Sequence, residues 1–200
     1  MLFMASIIIS VVSSFATVEY AQCPVIFDKT NGVLTISLSS GERLTFEDSS
    51  HENYNPSEHY PNAYSYKAYG CISDRFLVLE LSMDEFSEYK LIDIDNGNII
   101  EIDGRPILSP ARKHIITYRN DIDFGSFESI ISIYESKRTN VTKVFSKNFG
   151  KMCGPINVIW LNDEAALFDI ECMPPSPGEH LNYKIYLDDG IWKLNLKDGR

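Results

Sequence analysis

Short apolar runs, separated by turn residues, repeat along almost the whole chain. Phe76–Leu81 and Ile99–Ile102 are runs of this kind, and Gly, Pro, Asn and Asp bound most of the others. Runs of this length at a spacing of about 8–12 residues are typical of β-sandwiches and β-propellers. After the N-terminal segment no stretch has the apolar period of roughly 3.6 residues that marks an amphipathic helix. The sequence therefore predicts an all-β fold.

Three turn signals predict that neighbouring strands are antiparallel. Asn96-Gly97 lies between two apolar runs and predicts a two-residue type I′ hairpin turn, because both residues tolerate positive φ. Ser109-Pro110 begins a second turn before the apolar run His114–Tyr118. Asn162-Asp163 predicts a third hairpin turn. Hairpins in succession give sheets that are built from adjacent parts of the chain.

Some of these stretches share the residues of a known repeat. Pro106–Pro110 leads into the apolar run Ile115–Tyr118, and Val158–Asp163 leads into Ala166–Phe168. Leu91–Gly97 has the form of a second strand that ends in Asp and Gly. These stretches resemble the WD-like β-propeller repeats of periplasmic proteins, including the translocation proteins of the Tol system.

The resemblance covers roughly residues 70–196, with a half-blade at 25–47, and Ala111-Arg112 stands where the repeat usually has Asp-Gly. It implies a propeller-like array of about three to four antiparallel blades. The blades close into a four-bladed ring with an incomplete first blade, or they form an open curved array. A β-sandwich is the alternative fold.

The charge balance bears on the choice of partner. The chain has 28 Asp and Glu against 18 Lys and Arg, a formal net charge of −10. Such a field repels phosphate backbones, so we expect no nucleic-acid partner. The acidic residues are scattered, which is also what solubility alone requires.

The N-terminus has the features of an export signal. Met1–Ala16 is apolar and has no acidic residue, and Ser14 and Ala16 are small residues at the positions that a signal peptidase inspects. Ala21 is a second candidate cleavage point. A membrane anchor is the alternative, although polar residues interrupt the run before the about 20 residues that a spanning helix needs. We predict a signal peptide over residues 1–21, a single domain over 22–200, a periplasmic or secreted protein, and no membrane contact after cleavage.

The four cysteines lie beyond this signal, and an even number in an exported chain favours two disulfides. A two-residue turn at Asn162-Asp163 places Cys153 opposite Cys172, which leaves Cys23 for Cys71. A register slip of two residues would change this pairing. No two cysteines have the close spacing of a zinc site.

The stretch Asp48–Gly70 differs from the rest, since it is rich in Ser, Asn, Pro and Tyr and poor in aliphatic residues. It reads as a long loop, and long loops in compact domains are often functional. Its aromatic side chains suit a contact surface, because tyrosine combines apolar area with a polar tip. The candidate binding residues are Tyr54, Tyr60, Tyr64 and Tyr66. The alternative is an ordinary surface loop that packs its own tyrosines.

Motifs for catalysis, cofactors or metals are missing from the sequence. Asp93–Asn98 has its Gly in the wrong place for a calcium loop and is flanked by strands. His51 and His59 lie in a loop that offers no rigid frame for a metal. There is no Gly-x-Ser-x-Gly elbow, and Trp160 and Trp192 are expected in the core. We therefore expect no catalytic residues, no cofactor and no bound metal.

These features favour an exported, non-enzymatic binding protein with a protein partner, and an inhibitor or immunity-type protein is its specific form. The alternative is a hydrolase that uses loop carboxylates at one end of the blades.

Overall fold

A computed structural model of the chain describes residues 23–49, 63–83, 87–122, 127–173 and 181–196. Within these ranges the chain forms β-strands and connections, with no helix. The all-β prediction is confirmed. None of the described residues belongs to a helix that is long and apolar enough to cross a membrane. The predicted signal peptide lies outside the described residues.

Fifteen strands make four antiparallel sheets in the described parts of the chain. The first sheet consists of β1 (Phe27–Thr30), β2 (Val33–Ser37) and β3 (Arg43–Glu47). The second consists of β4 (Tyr64–Ile72), β5 (Phe76–Met83), β6 (Ser87–Asp93) and β7 (Ile99–Ile102). The third consists of β8 (Arg105–Leu108), β9 (His114–Arg119), β10 (Ser129–Lys137) and β11 (Asn140–Gly150). The fourth consists of β12 (Cys153–Asn162), β13 (Ala165–Cys172), β14 (Leu181–Asp188) and β15 (Ile191–Leu196).

The sheets stack face to face in chain order. Leu77 belongs to a core cluster that the second sheet shares with the first, whereas its neighbour Phe76 belongs to one shared with the third. In the third sheet, Ile115 belongs to the core cluster shared with the second sheet, and its neighbour Ile116 belongs to the one shared with the fourth. Side chains alternate across a strand, so a sheet covered on both faces needs continuous apolar runs. This explains why β5 has no polar alternation.

The stack agrees with the predicted array of three to four blades. Three sheets have four strands, and the first has three. Among the described residues the core clusters join the first sheet to the second, the second to the third and the third to the fourth. None joins the fourth sheet to the first, so the described residues form an open array.

The turn after β6 differs from the prediction, although the hairpin is present. The prediction of a two-residue type I′ turn at Asn96-Gly97 was wrong. The loop runs from Asp93 to Ile99, and of its residues only Gly97 has a positive φ, of 75°. The amide of Asp93 donates to the carbonyl of Asn98 at 2.8 Å and the amide of Gly97 to that of Asp93 at 2.7 Å. The Asp93 carboxylate also accepts from the amide of Asp95 at 3.1 Å. These bonds stabilise a loop that is longer than the two-residue turn predicted from Asn96-Gly97.

In the β12–β13 hairpin Cys153 pairs with Cys172 as predicted, but the position of the turn and the strand register near it differ from the prediction. Its turn lies one residue later than predicted, because Asn162 pairs with Ala165. Two register shifts along β12 then bring Cys153 opposite Cys172. Asn157, at the first shift, has a φ of 53°, as a bulge often requires. The predicted turn was wrong, and the predicted disulfide is correct.

Both predicted disulfides are present. Cys153 and Cys172 have a Cα–Cα distance of 4.0 Å, and Cys23 and Cys71 one of 5.0 Å. Disulfides persist in oxidising compartments and are rare in the cytosol. They indicate an oxidising, non-cytoplasmic location for this protein.

Candidate functional site

Two of the candidate binding tyrosines lie on a strand rather than in a loop. Tyr64 and Tyr66 belong to β4, which pairs with β5 along its length. The loop prediction for this part of Asp48–Gly70 is therefore wrong. The signal was present, since Tyr64, Tyr66 and Ala68 alternate with polar Ser65 and Lys67, and this period of two residues marks a half-buried strand.

The same alternation places both tyrosines on one face of β4. Their ring centroids are 5.8 Å apart in an edge-to-face arrangement, and the ring of Tyr66 lies 5.2 Å from that of Phe46 on β3. Edge-to-face pairs of this kind are favourable beyond the area they bury. We call Phe46, Tyr64 and Tyr66 the tyrosine platform. It lies where the first sheet meets the second.

Asp48 fixes the backbone beneath the platform. Its carboxylate accepts hydrogen bonds from the amide of Tyr66 at 2.8 Å and from the ammonium of Lys29 at 3.0 Å. The same ammonium donates to the carbonyl of Tyr66 at 2.7 Å. Ser49 and Tyr64 exchange backbone hydrogen bonds of 3.0 and 3.2 Å. These hydrogen bonds fix the position of the platform relative to the first sheet.

Tyr54 and Tyr60, the other two candidate binding residues, lie outside the described residues. The chain leaves the described part at Ser49 and returns at Ala63, and Ser49 is paired with Tyr64. The described residues on either side of this part, Ser49 and Ala63, lie next to Tyr64 of the platform.

A cleft of about 530 Å³ opens next to the platform. It is lined by Asn31, Gly32, Asp48, Ser49, Ala63, Tyr64, Ser65, Ser82 and Met83. This volume falls within the range of about 300–1,000 Å³ that is usual for ligand sites. The cleft can accept a side chain of a binding partner beside the ring of Tyr64.

Two carboxylates lie near Tyr66, and that of Asp48 is paired with Lys29 at 2.7 Å. The pKa of the Tyr66 hydroxyl is raised, first by burial and then by Tyr64, Glu88 and Asp48. Nearby negative charge raises the pKa of a tyrosine because it disfavours the phenolate. A partner with a basic surface would meet a favourable field here.

A second cleft, of about 410 Å³, lies between the second and third sheets. Its charged lining residues are Glu88, Lys90, Glu101, Asp103, Arg119 and Lys143. The two signs are equal in number, and some of these charges already pair. Lys143 lies 2.7 Å from Asp103, and Lys90 lies 3.7 Å from Glu101.

Asp103 is the centre of a polar network at this cleft. It follows β7 of the second sheet, and its carboxylate accepts from Ser132 at 2.6 Å and from Tyr134 at 2.9 Å on β10 of the third sheet. Burial alone would raise the pKa of Asp103, but bonds from Lys143, Ser132 and Tyr134 lower the pKa overall. The group stays ionised, and its role is to join the two sheets.

Glu80 is held in a similar way inside the second sheet. Its carboxylate accepts hydrogen bonds from Tyr69 at 2.5 Å and from Tyr89 at 2.8 Å. Burial works to raise the pKa of Glu80, and bonds from both tyrosines and Ser87 lower the pKa overall. The pKa of Tyr89 is raised by burial and by this carboxylate. A carboxylate with its pKa lowered is poorly suited to act as a general acid near neutral pH.

The loop at Asp93–Asn98, considered above for calcium, holds an arginine instead. Arg75 donates two hydrogen bonds to Asp93, at 2.8 and 2.6 Å, and pairs with Asp95 at 3.0 Å. Across the described residues no group of three His, Cys, Asp or Glu side chains is placed to hold a metal ion.

The tryptophans and His114 join the third sheet to the fourth. Trp192 is buried, and the indole N–H of the partly buried Trp160 donates to the carbonyl of Ile107 at 3.0 Å. His114 packs against Trp192, and its Nδ1 lies 2.7 Å from the carbonyl oxygen of Asp163. The prediction of a core position is confirmed for Trp192, whereas Trp160 is partly buried and packs against the same core cluster. His51, His59 and His180 lie outside the described residues.

Reasoning from the sequence missed Asp48, Asp103 and Asp163, which join successive sheets. Asp163 accepts a hydrogen bond from the amide of Ala111 in the third sheet at 2.7 Å, as Asp48 and Asp103 accept from the sheet next to their own. A weak signal existed, because Asp48 and Asp103 each follow directly the last strand of their sheet. Their partners are distant along the chain, so the sequence alone could not identify them.

No known protein family matches this chain, and a comparison with curated proteins finds no match.

Proposed function

We propose that this protein is an exported, non-enzymatic binding protein that contacts a protein partner through the tyrosine platform and the tyrosines that precede it. The observation that carries the proposal is the fixed geometry of Tyr64 and Tyr66, whose strand is tied to Asp48 and Lys29. A rigid aromatic surface loses little conformational entropy on binding. Tyrosine is also among the residues that contribute most to binding at interfaces.

The setting supports export and a basic partner. The N-terminal segment has the composition of a signal peptide, and two disulfides suit the periplasm or the extracellular space. The net charge of −10 and the carboxylates near Tyr66 would speed association with a basic protein. An inhibitor or immunity-type protein with a propeller-like fold is the specific form of this proposal.

A substitution in the platform tests the proposal. The immobilised protein is exposed to the exported fraction of its own cells, and retained proteins are identified by mass spectrometry. We expect Tyr64→Ser to lower retention of the main bound protein at least about 10-fold, because it removes an aromatic contact residue. The control is Thr45→Ser on the outer face of the first sheet, which should bind as the wild type does.

Two results would reject the proposal. One is that the wild type retains no protein above the level of the bare support. The other is that Tyr64→Ser and a variant with both Tyr54→Ser and Tyr60→Ser retain the partner as well as the control does.

The hydrolase alternative draws on one observation, the three carboxylates Glu88, Glu101 and Asp103 that line the cleft between the second and third sheets. It is weaker, because Asp103 is fully engaged by Ser132, Tyr134 and Lys143. Glu101 also lies near Lys90.

A further inference from the structure

The two ends of the sheet stack have different surfaces. On the outer face of the first sheet, Asp28, Thr35 and Thr45 form one row across the three strands, and Ser37 and Arg43 form part of another. This end is polar. The opposite end is the outer face of the fourth sheet, where Ile159, Leu161 and Ile191 are 54%, 50% and 64% exposed.

The strand register shows that these apolar residues point away from the core. Val158, Ala166 and Trp192 belong to the core cluster shared with the third sheet. Side chains alternate along a strand, so the neighbours Ile159 and Ile191 face outward. Ile159 pairs with Leu167, which extends the apolar surface across β13. An exposed apolar patch of several neighbouring residues on a folded domain usually marks a contact surface.

Several polar groups on this face are already partnered by one another. The amide of Asn195 donates to the hydroxyl of Tyr186 at 2.9 Å, and Lys193 pairs with Asp188. The ammonium of Lys184 lies 5.4 Å from the centre of the Tyr186 ring. Burying a polar group is costly when it loses its hydrogen bonds. Here these groups keep their mutual contacts when the face is covered, and the main remaining cost is the desolvation of the Lys193–Asp188 pair.

We propose that the outer face of the fourth sheet is the interface of a two-fold symmetric dimer of this chain. A head-to-tail contact would bury the polar face of the first sheet against an apolar one, whereas a two-fold contact pairs the apolar face with itself. A second copy therefore fits the apolar end, and the polar ends remain in solvent.

The area of the face suits a dimer of moderate affinity. Four strands at a spacing of about 4.8 Å span about 19 Å, and the eight residues of β14 extend about 26 Å. The face therefore covers about 500 Å² in each copy, or about 1,000 Å² in both. This is near the lower bound expected of a biological interface.

Sedimentation velocity of the full chain, from roughly 1 to 200 µM, tests the proposal. We expect a concentration-dependent dimer for the wild type, and at least a 10-fold higher dissociation constant for Ile159→Asp and for Ile191→Asp. Both side chains are more than half exposed, so the variants should keep the thermal midpoint of the wild-type monomer. The control is Val144→Asp on β11, a β-branched residue that is 40% exposed elsewhere. It should dimerise as the wild type does.

Three outcomes would overturn the proposal. The first is a wild type that stays monomeric over the whole range. The second is a dimer that Ile159→Asp and Ile191→Asp leave unchanged. The third is an Ile159→Asp variant whose monomer has a lower thermal midpoint than the wild-type monomer, which would place another segment of the same chain on this face.

Discussion

Single aspartates hold neighbouring sheets together in this protein. Asp48, Asp103 and Asp163 each accept a hydrogen bond from a sheet other than their own. Asp103 has the most buried partners, because Ser132 is fully buried and Tyr134 nearly so. A buried donor that has no acceptor destabilises the fold by the full free energy of its desolvation. The contact between the second and third sheets therefore depends strongly on one carboxylate.

The variant Asp103→Ala should lower the free energy of unfolding by about 1–3 kcal/mol, because the buried Tyr134 hydroxyl loses its acceptor and the Ser132 hydroxyl keeps only Ser146, at 3.0 Å. Urea denaturation at neutral pH measures the change. The control is Asp74→Ala, which removes an exposed aspartate from the turn before β5 and should change stability by less than about 0.5 kcal/mol.

The same variant should alter the response to acid. The pKa of Asp103 is lowered in the folded protein from an ordinary value of 3.8, so its ionised form stabilises the fold above that value. This contribution is lost as the pH falls through the lowered pKa. The wild type should lose stability steeply below about pH 3.8, and Asp103→Ala less steeply. Equal slopes for the two proteins, together with equal stability at neutral pH, would contradict the role given to Asp103.

The strands can be predicted from local sequence patterns, whereas the conformations of the turns depend on particular side chains and on irregularities in the strands beside them. Apolar runs and Asn, Gly and Pro signals predicted the hairpins around Asp93–Ile99 and β12–β13. The turn types failed, since the loop after β6 depends on Asp93 and β12 contains two register shifts. The prediction that Tyr64 and Tyr66 lie in a loop was wrong. It relied on the low aliphatic content of Asp48–Gly70 and overlooked the strand-like alternation of apolar and polar residues from Tyr64 to Ala68. Contacts between sheets join residues far apart in sequence, and no local pattern encodes them.

Gly104, between β7 and β8, is needed where the chain passes from the second sheet to the third. A Cβ atom there would lie 2.1 Å from the carbonyl oxygen of Tyr118 on β9. Because that oxygen belongs to a sheet backbone, Gly104→Ala should cost about 3 kcal/mol or more. Gly41→Ala is the control, since a Cβ at Gly41 meets nothing within 4 Å and only its φ of +87° is unfavourable. It should cost about 1 kcal/mol, and chemical denaturation compares the two. Similar costs for both variants would show that β8 and β9 are not packed as described.

At the scale of the molecule, the described residues form an open stack of sheets whose interior faces are apolar and whose ends differ. Two disulfides reinforce it, one within the fourth sheet and one from Cys23 to the second sheet. The all-β class could be predicted, because the spacing of apolar runs and turn residues is a property of the sequence. The Cys153–Cys172 pairing was predicted from a displaced turn and is correct because two register shifts in β12 compensate for that displacement. The Cys23–Cys71 pairing then followed by elimination. The order in which the sheets pack could be proposed only from the resemblance to blade repeats. The difference between the two ends could not be foreseen, since it depends on which sheet faces have a neighbour.

Amide hydrogen exchange of the native protein, resolved by peptide, tests the stack most directly. Amides that open only on global unfolding should lie in strands covered on both faces, and peripheral strands should exchange through local opening. The account predicts the slowest exchange in β5, β9 and β10 and faster exchange in β1 and β11, whose residues are largely exposed. Protection of β1 and β11 equal to that of β5, or rapid exchange throughout β9 and β10, would contradict the face-to-face stacking of the four sheets.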